Sequence, residues 1–398
     1  NLVIKSLKTF DLKDKRVLMR VDFNVPIEND RVTDDFRIKA ALPSIQYCLK
    51  AGANIVLMSH LGRPNGQIDP EMSLIPAGET LADLLEMPIK FSMDCISEDS
   101  HDVTLGLKPG EVHLLENLRF HKGETENDPS FSSQLAKHGD VFINDAFGTS
   151  HRSHASNVGV VPFFSQKGIG FLVENELKYL DKAIKDPARP FVVILGGAKI
   201  KGKLDLILKL VEIADSVLIG GGMAFTFLKA KGKEIGNSLV DDSMIPDAKK
   251  ILYHARNNSV KISLPIDVVV AETLDAPHSS QTVSVSEIPK GMGGFDIGPE
   301  TIQHFNSSLV HAGTILWNGP MGVFEQEGFE NGTKQLAESL AKKGDHDRIV
   351  IVGGGDTAAA VNSFGLADSM SHVSTGGGAS LELLSGNFLP AVSALEIP

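Results

Sequence analysis

Asp22, Asn24, His60, Arg63, Arg119 and Arg152 fall at or just after the ends of apolar runs in the first half of the chain, and Arg37 belongs beside them. Guanidinium groups take phosphate or carboxylate through paired hydrogen bonds, so this set reads as a site for a small anion. In the second half the apolar runs lead into glycines instead: FVVIL into Gly196-Gly197, SVLI into Gly220-Gly221-Gly222, KGM into Gly293-Gly294, RIVIV into Gly353-Gly354-Gly355 and HVST into Gly376-Gly377-Gly378. Glycine admits close approach of backbone to ligand, and amides at a strand-to-helix turn bind phosphate. The two halves therefore read as two anion sites of different construction.

Each motif has a plainer reading beside the chemical one. Gly353-Gly354-Gly355-Asp356-Thr357 offers amides for nucleotide phosphates and, in Asp356, a hard oxygen ligand for magnesium; the same residues make a tight turn with an N-cap Asp. Gly353, Gly355 and Ala358 also fit a dinucleotide fingerprint, but the acidic residue due about 20 positions on is absent at Ser371-His372-Val373-Ser374. The run from Gly197 to Leu204 approximates a P-loop yet lacks its Ser or Thr. Lys199 and Lys203, four apart, are expected to share one face of a helix opening at this turn. The alternative for such a pair is a solvated lysine face.

Asp22 and Asn24 alternate with apolar neighbours and point the same way at a strand end. His60 reads as a donor, neutral or cationic, to anionic oxygens rather than as a proton-transfer group. His151 and His154 flank Arg152, but no third ligand follows at zinc-like spacing, so no metal is expected there. No G-x-S-x-G elbow occurs. Asn318-Gly319-Pro320, with Glu325 beyond, forms a polar turn after TILW.

These side chains need elements to position them. RVLMRVDF, NIVLMSH and VHLLENL alternate with stretches of helical period, and the alternation resumes at Phe191 and runs to about Leu384. Such alternation predicts an α/β protein with parallel sheets, ligands sitting beyond the carboxyl ends of the strands. At 398 residues two domains are expected, each with its own doubly wound sheet. Val173, Leu177, Leu180 and Ile184 predict a connecting helix over 170–185, stopped by Asp186-Pro187-Ala188-Arg189-Pro190 and suited to hinge motion.

A net charge of -12 excludes the broad basic surface that nucleic acid requires. Cys48 and Cys95 are too few for a disulfide framework, which fits reduced thiols in a cytosolic setting. No apolar run reaches the roughly 18 residues of a membrane span. The stretch NLVIKSLKTFDLKDKR has no export-signal pattern, so a protein that is not exported is expected.

Taken together, RVLMRVDFNVP, SHLGRP, ENLRF, DAFGTSHRSH, LGGAKIKGK, GGGMAFTFL, WNGPMGVFE, GGGDTA and STGGGASLELL closely resemble the phosphoglycerate kinase family, in order and over nearly the full chain. The resemblance implies two Rossmann-like lobes joined by a hinge helix: 1–169 for 3-phosphoglycerate, 170–185 connecting, 186–385 for Mg-nucleotide, and a tail 386–398 returning to the first lobe. It implies reversible phosphoryl transfer between 1,3-bisphosphoglycerate and MgADP, giving 3-phosphoglycerate and ATP with its Mg2+, by a cytoplasmic monomer. By similarity Asp22, Asn24, Arg37, His60, Arg63, Arg119 and Arg152 hold the triose. Lys203, Gly220, Gly221, Gly294, Asn318, Pro320, Glu325, Gly354, Gly355, Asp356 and Thr357 hold the nucleotide, with Asp356 towards magnesium. Arg37, Lys199, Lys203, Gly376 and Gly377 face the phosphoryl group in transit. Lys201-Gly202 stands where many members carry small polar or acidic residues, a change expected to touch nucleotide affinity only. The rivals are an NAD-dependent dehydrogenase and a two-lobed solute-binding protein without catalysis.

Overall fold

Every residue of Asn54–Met58, Val112–Leu115, Val141–Asn144, Phe191–Leu195 and Thr314–Asn318 is buried. Strands without an exposed face belong in parallel sheets covered by helices on both sides. A computed structural model describes residues 2–342 and 347–398 and places them so. The chain is α/β, with two parallel six-stranded sheets.

The first sheet runs Lys90–Ser92, Val112–Leu115, Asn54–Met58, Arg16–Arg20, Val141–Asn144, Gln166–Ile169. The second runs Lys261–Ser263, Ser216–Ile219, Phe191–Leu195, Thr314–Asn318, Ile349–Gly353, His372–Val373. In both, chain order reverses beside the first strand, which is where an open α/β sheet forms its ligand crevice. Register aligns the strand ends there. Arg20 lies opposite Met58 and Asn144, and Asn318 opposite Leu195 and Gly353. Each sheet thus delivers its loops to one rim.

Strict alternation fails in two places. Ile27–Glu28 and Arg31–Val32 form a short hairpin. Gly293-Gly294 do not follow a strand but begin one, Gly293–Ile297, which pairs antiparallel with Asp267–Ala271 in a separate three-stranded sheet. The apolar pattern is similar in both settings, so periodicity does not tell a buried antiparallel strand from a parallel one.

The chain divides into two compact units. One runs to Leu177 and includes Phe388–Pro398; the other is Lys178–Asn387. The divide falls inside the helix Phe171–Lys185. Val3 and Ile397 exchange backbone bonds of 2.8 and 2.9 Å, and Ala391 N donates to Ser150 O at 3.1 Å. These bonds tie the final segment to the first unit.

Candidate active site

In the first unit, Arg16–Arg20 ends between two neighbours, and Asp22 and Asn24 follow it in the loop. Arg37, in the first turn of the helix Phe36–Lys50, donates from Nη1 to Asn24 O at 2.9 Å and to Asp22 Oδ1 at 3.4 Å. Asn24 Oδ1 accepts from Gly62 N at 3.0 Å, while Gly62 O accepts from Arg119 Nη1 at 3.0 Å. Asn117 Oδ1 takes the amides of Leu61 at 3.1 Å and Arg119 at 3.0 Å. The loops after three strands are therefore laced together, and Asp22, Asn24, Arg37 and Arg119 share one network. Arg63, Arg119 and Arg152 meet with His154 around a cleft of about 190 Å³.

Burial, then the charges of Arg20 and Arg152, pull the Arg119 guanidinium down to about 10. Cations crowded in this way gain from any anion that enters. His60 is buried among Arg20, Arg119, His154 and Arg37, and burial followed by these neighbours holds it well below its ordinary value. Its Nδ1 accepts from Arg20 Nη2 at 2.8 Å. With Nδ1 accepting from a guanidinium, the imidazole is the neutral tautomer that carries its proton on Nε2.

Sequence reasoning passed over Arg20 itself. Its side chain is wholly buried, donating from Nε to Ser156 Oγ at 2.8 Å and from Nη1 to Val21 O. Ser156 Oγ in turn donates to Glu124 Oε2 at 2.6 Å. Burial lowers the Arg20 pKa, and Glu124 and then Asp22 oppose that. His154 was also passed over, being read only as a rejected metal ligand.

In the second unit, Gly196 N donates to Asn318 O at 2.9 Å and Gly197 N to Pro320 O at 2.9 Å. The loops after Phe191–Leu195 and Thr314–Asn318 pack backbone on backbone. Gly319, at φ +104°, has no room for a side chain: a Cβ would lie 2.2 Å from Gly196 C. Above these loops opens a cleft of about 440 Å³, walled by Gly221, Gly294, Pro320, Glu325 and Asp356 among the expected residues. Phe225, Leu239, Val268 and Met321 add an apolar face. Asn237 and Asp296 add polar groups; burial, then Glu330, raises the Asp296 carboxyl to about 7.

Other expected residues brace this cleft. Thr357 Oγ1 accepts from Gly319 N at 2.7 Å. Gly220 lies beneath, where a Cβ would meet Met321 Sδ at 2.5 Å. Gly354, at φ +94°, and Gly355 open the helix Gly355–Ser363, which carries Asp356 in its first turn. Lys203 Nζ reaches Gly196 O at 3.4 Å, and burial lowers its pKa against the pull of Asp356.

Lys199 and Lys203 do not share a helical face. The helix starts at Leu204, and Lys199 sits exposed in the preceding loop, where Gly202 at φ +86° turns the chain. Gly376 is buried with its amide on Ser374 Oγ at 3.2 Å, while Gly377 is exposed at φ +49°. Neither glycine nor Lys199 lines the cleft.

Two α/β units, one with an arginine-lined cleft and one with a glycine-walled crevice beside a lysine and a carboxylate, define a phosphotransferase. The family profile described as "Phosphoglycerate kinase" matches residues 7–387, and the chain belongs to that family. It is 50% identical over 393 residues to the phosphoglycerate kinase of Pelodictyon phaeoclathratiforme, covering 98% of this chain and 99% of that one. Over 391 residues it is 48% identical to that of Thermosipho africanus, covering 98% of this chain and 97% of the other. Among solved structures, the Coxiella burnetii enzyme superposes with a TM-score of 0.90 at 38% identity, covering 99% of both chains. The Pyrococcus horikoshii enzyme gives 0.84 at 31%, covering 98% of both. The chain catalyses the reversible phosphoryl transfer of glycolysis, linking 3-phosphoglycerate and ATP to 1,3-bisphosphoglycerate and ADP. Its substrates are small molecules, and among the described residues no helix is long and apolar enough to cross a membrane.

Proposed function

We propose that the first unit holds the triose and the second the Mg-nucleotide, and that in-line transfer follows closure of the two about the helix Phe171–Lys185. The observation that carries this reading is the division of the anion-binding groups: arginines in one unit, glycine turns with Lys203 and Asp356 in the other. Asp22, Asn24, Arg37, His60, Arg63, Arg119 and Arg152 bind 3-phosphoglycerate. His60 contributes Nε2–H as a fixed donor and takes no proton.

Either nucleophile, a carboxylate or a terminal phosphate, is already ionised, so the reaction needs no general base. The demand is for position and for charge at the equatorial phosphoryl oxygens. Arg37 keeps 39% of its side chain exposed and can turn a guanidinium edge to those oxygens. Lys199 and Lys203 supply ammonium groups and Gly377 an amide; the Gly376 amide joins them on release from Ser374 Oγ. Lys203, Gly220, Gly221, Gly294, Asn318, Pro320, Glu325, Gly354, Gly355, Asp356 and Thr357 bind or brace the nucleotide.

Asp356 suits Mg2+, which takes one or two carboxylates and completes its shell with phosphate oxygens and water. When bound, the ion screens charge on the nucleotide phosphates. Closure excludes the water that would compete for an acyl phosphate. The reading takes the enzyme as a cytoplasmic monomer, as the family resemblance implies.

A coupled assay with 3-phosphoglycerate and MgATP tests the activity. Turnover should require both substrates and the metal; product formed without 3-phosphoglycerate would overturn the assignment.

A further inference from the structure

A cluster of metal-ligating side chains in the first unit has no part in phosphoryl transfer. Asp94 and Cys95 follow the strand Lys90–Ser92, and His121 closes the 3-10 turn Leu118–Phe120. His121 Nε2 lies 2.5 Å from Asp94 Oδ1. One ligand atom each from Asp94, Cys95 and His121 lie within 4.8 Å of one another, the one such group of three found among the described residues. We propose that Asp94, Cys95 and His121 form a binding site for a borderline divalent transition metal, Zn2+ in particular, distinct from the nucleotide's magnesium.

The donor set selects the ion. Mg2+ and Ca2+ take all-oxygen shells, whereas thiolate, imidazole and one carboxylate are the ligands of zinc. Three protein donors leave a fourth tetrahedral position, and Asp94 and His121 are only part-buried, so water can fill it. Zinc distances of about 2.0–2.3 Å require the 2.5 Å Asp94–His121 contact to open by about 1 Å as the ion enters between the two groups.

The backbone around the ligands is already held. Asp94 Oδ2 accepts from Ile96 N at 3.2 Å, and Cys95 O accepts from His138 Nε2 at 2.8 Å. Such outer contacts fix ligand direction. On binding, the Cys95 S–H bond breaks, its proton leaves to solvent and a Zn–S bond forms. His121 moves its proton to Nδ1 and gives the Nε2 lone pair; no electron is transferred. Because His121 closes the turn that bears Arg119, the metal would fasten that turn to the loop after Lys90–Ser92.

The test is Co2+ titration of the chelator-dialysed full chain, followed by absorption. A thiolate-to-cobalt charge-transfer band should rise in proportion to the chain and yield to Zn2+. In His121→Gln, a change at a part-exposed residue, cobalt affinity should fall by more than ~10-fold. Cys48→Ala should keep the band, since among the described residues Cys48 lies in no such group. No sulfur band in the parent chain, a band unaltered by His121→Gln, or one abolished by Cys48→Ala would overturn the site.

Discussion

Arg37, in the first turn of a helix, and Arg20, at the end of a strand, have opposite duties. Arg37 is part-exposed and, among the described residues, its side chain bonds to Asp22 and Asn24 at one nitrogen, Nη1, which leaves a guanidinium edge for a ligand. Arg37→Ala is expected to lower turnover by more than ~100-fold with little change in stability. A near-normal rate in the steady state would remove Arg37 from the transition state. Arg20 is spent internally, between His60 and the Ser156–Glu124 pair. Arg20→Met leaves Ser156 Oγ, the Val21 carbonyl and His60 Nδ1 without their buried donor and should cost roughly 1–3 kcal/mol, read from urea unfolding. A loss below ~1 kcal/mol would mean the neighbourhood adapts. Arg63, Arg119 and Arg152, proposed to bind the triose, were legible as candidates because they stand in conspicuous polar turns. Arg20 was not: within RVLMRV it looks like an ordinary polar strand residue, and Ser156, 136 residues away, comes near only through folding.

At the scale of elements, a hydrogen-bonded relay fixes two imidazoles. His138 Nε2 donates to Cys95 O at 2.8 Å, so its Nδ1 accepts from Thr104 Oγ1 at 2.7 Å. Thr104 Oγ1 then accepts from His113 Nδ1 at 3.0 Å, and His113 Nε2 accepts from Ser92 Oγ at 2.6 Å. Both rings are neutral. Burial lowers His138 to about 3 and His113 to about 4. The unfolded chain, with imidazoles near ~6.5, binds protons that the folded chain refuses. Their contribution is complete above that value, declines as pH falls towards 4 and then 3, and levels off below. Asp145 and Asp296, which burial raises to about 7, act in the opposite direction. The informative quantity is therefore the difference from His138→Gln. Between about pH 7 and 5 the parent should lose stability faster, by up to ~1.4 kcal/mol per pH unit. Parallel slopes in urea melts would contradict the relay.

The parallel sheets were legible because fully apolar runs ending in glycine or arginine have few other homes. The antiparallel sheet was hidden by the same signal, and with it Val268 on the apolar face of the second unit's cleft. The Lys199–Lys203 geometry was misread because a near-P-loop spacing implies a helix that here starts only at Leu204.

At the scale of the whole molecule, chain length and the stop at Asp186-Pro187 gave two units and a helix near their division. Motion about that helix is a consequence of the proposal. Small-angle scattering should show a lower radius of gyration when 3-phosphoglycerate and MgADP are added together than with either alone. Full activity at an unchanged radius would count against closure.

The central claim is that each substrate belongs to its own unit, and calorimetric binding to reciprocal variants tests it most directly. Arg119→Met should weaken 3-phosphoglycerate by more than ~10-fold and leave MgADP near its parent affinity, while Asp356→Asn should do the reverse. Equal loss of both ligands in either variant would contradict the account.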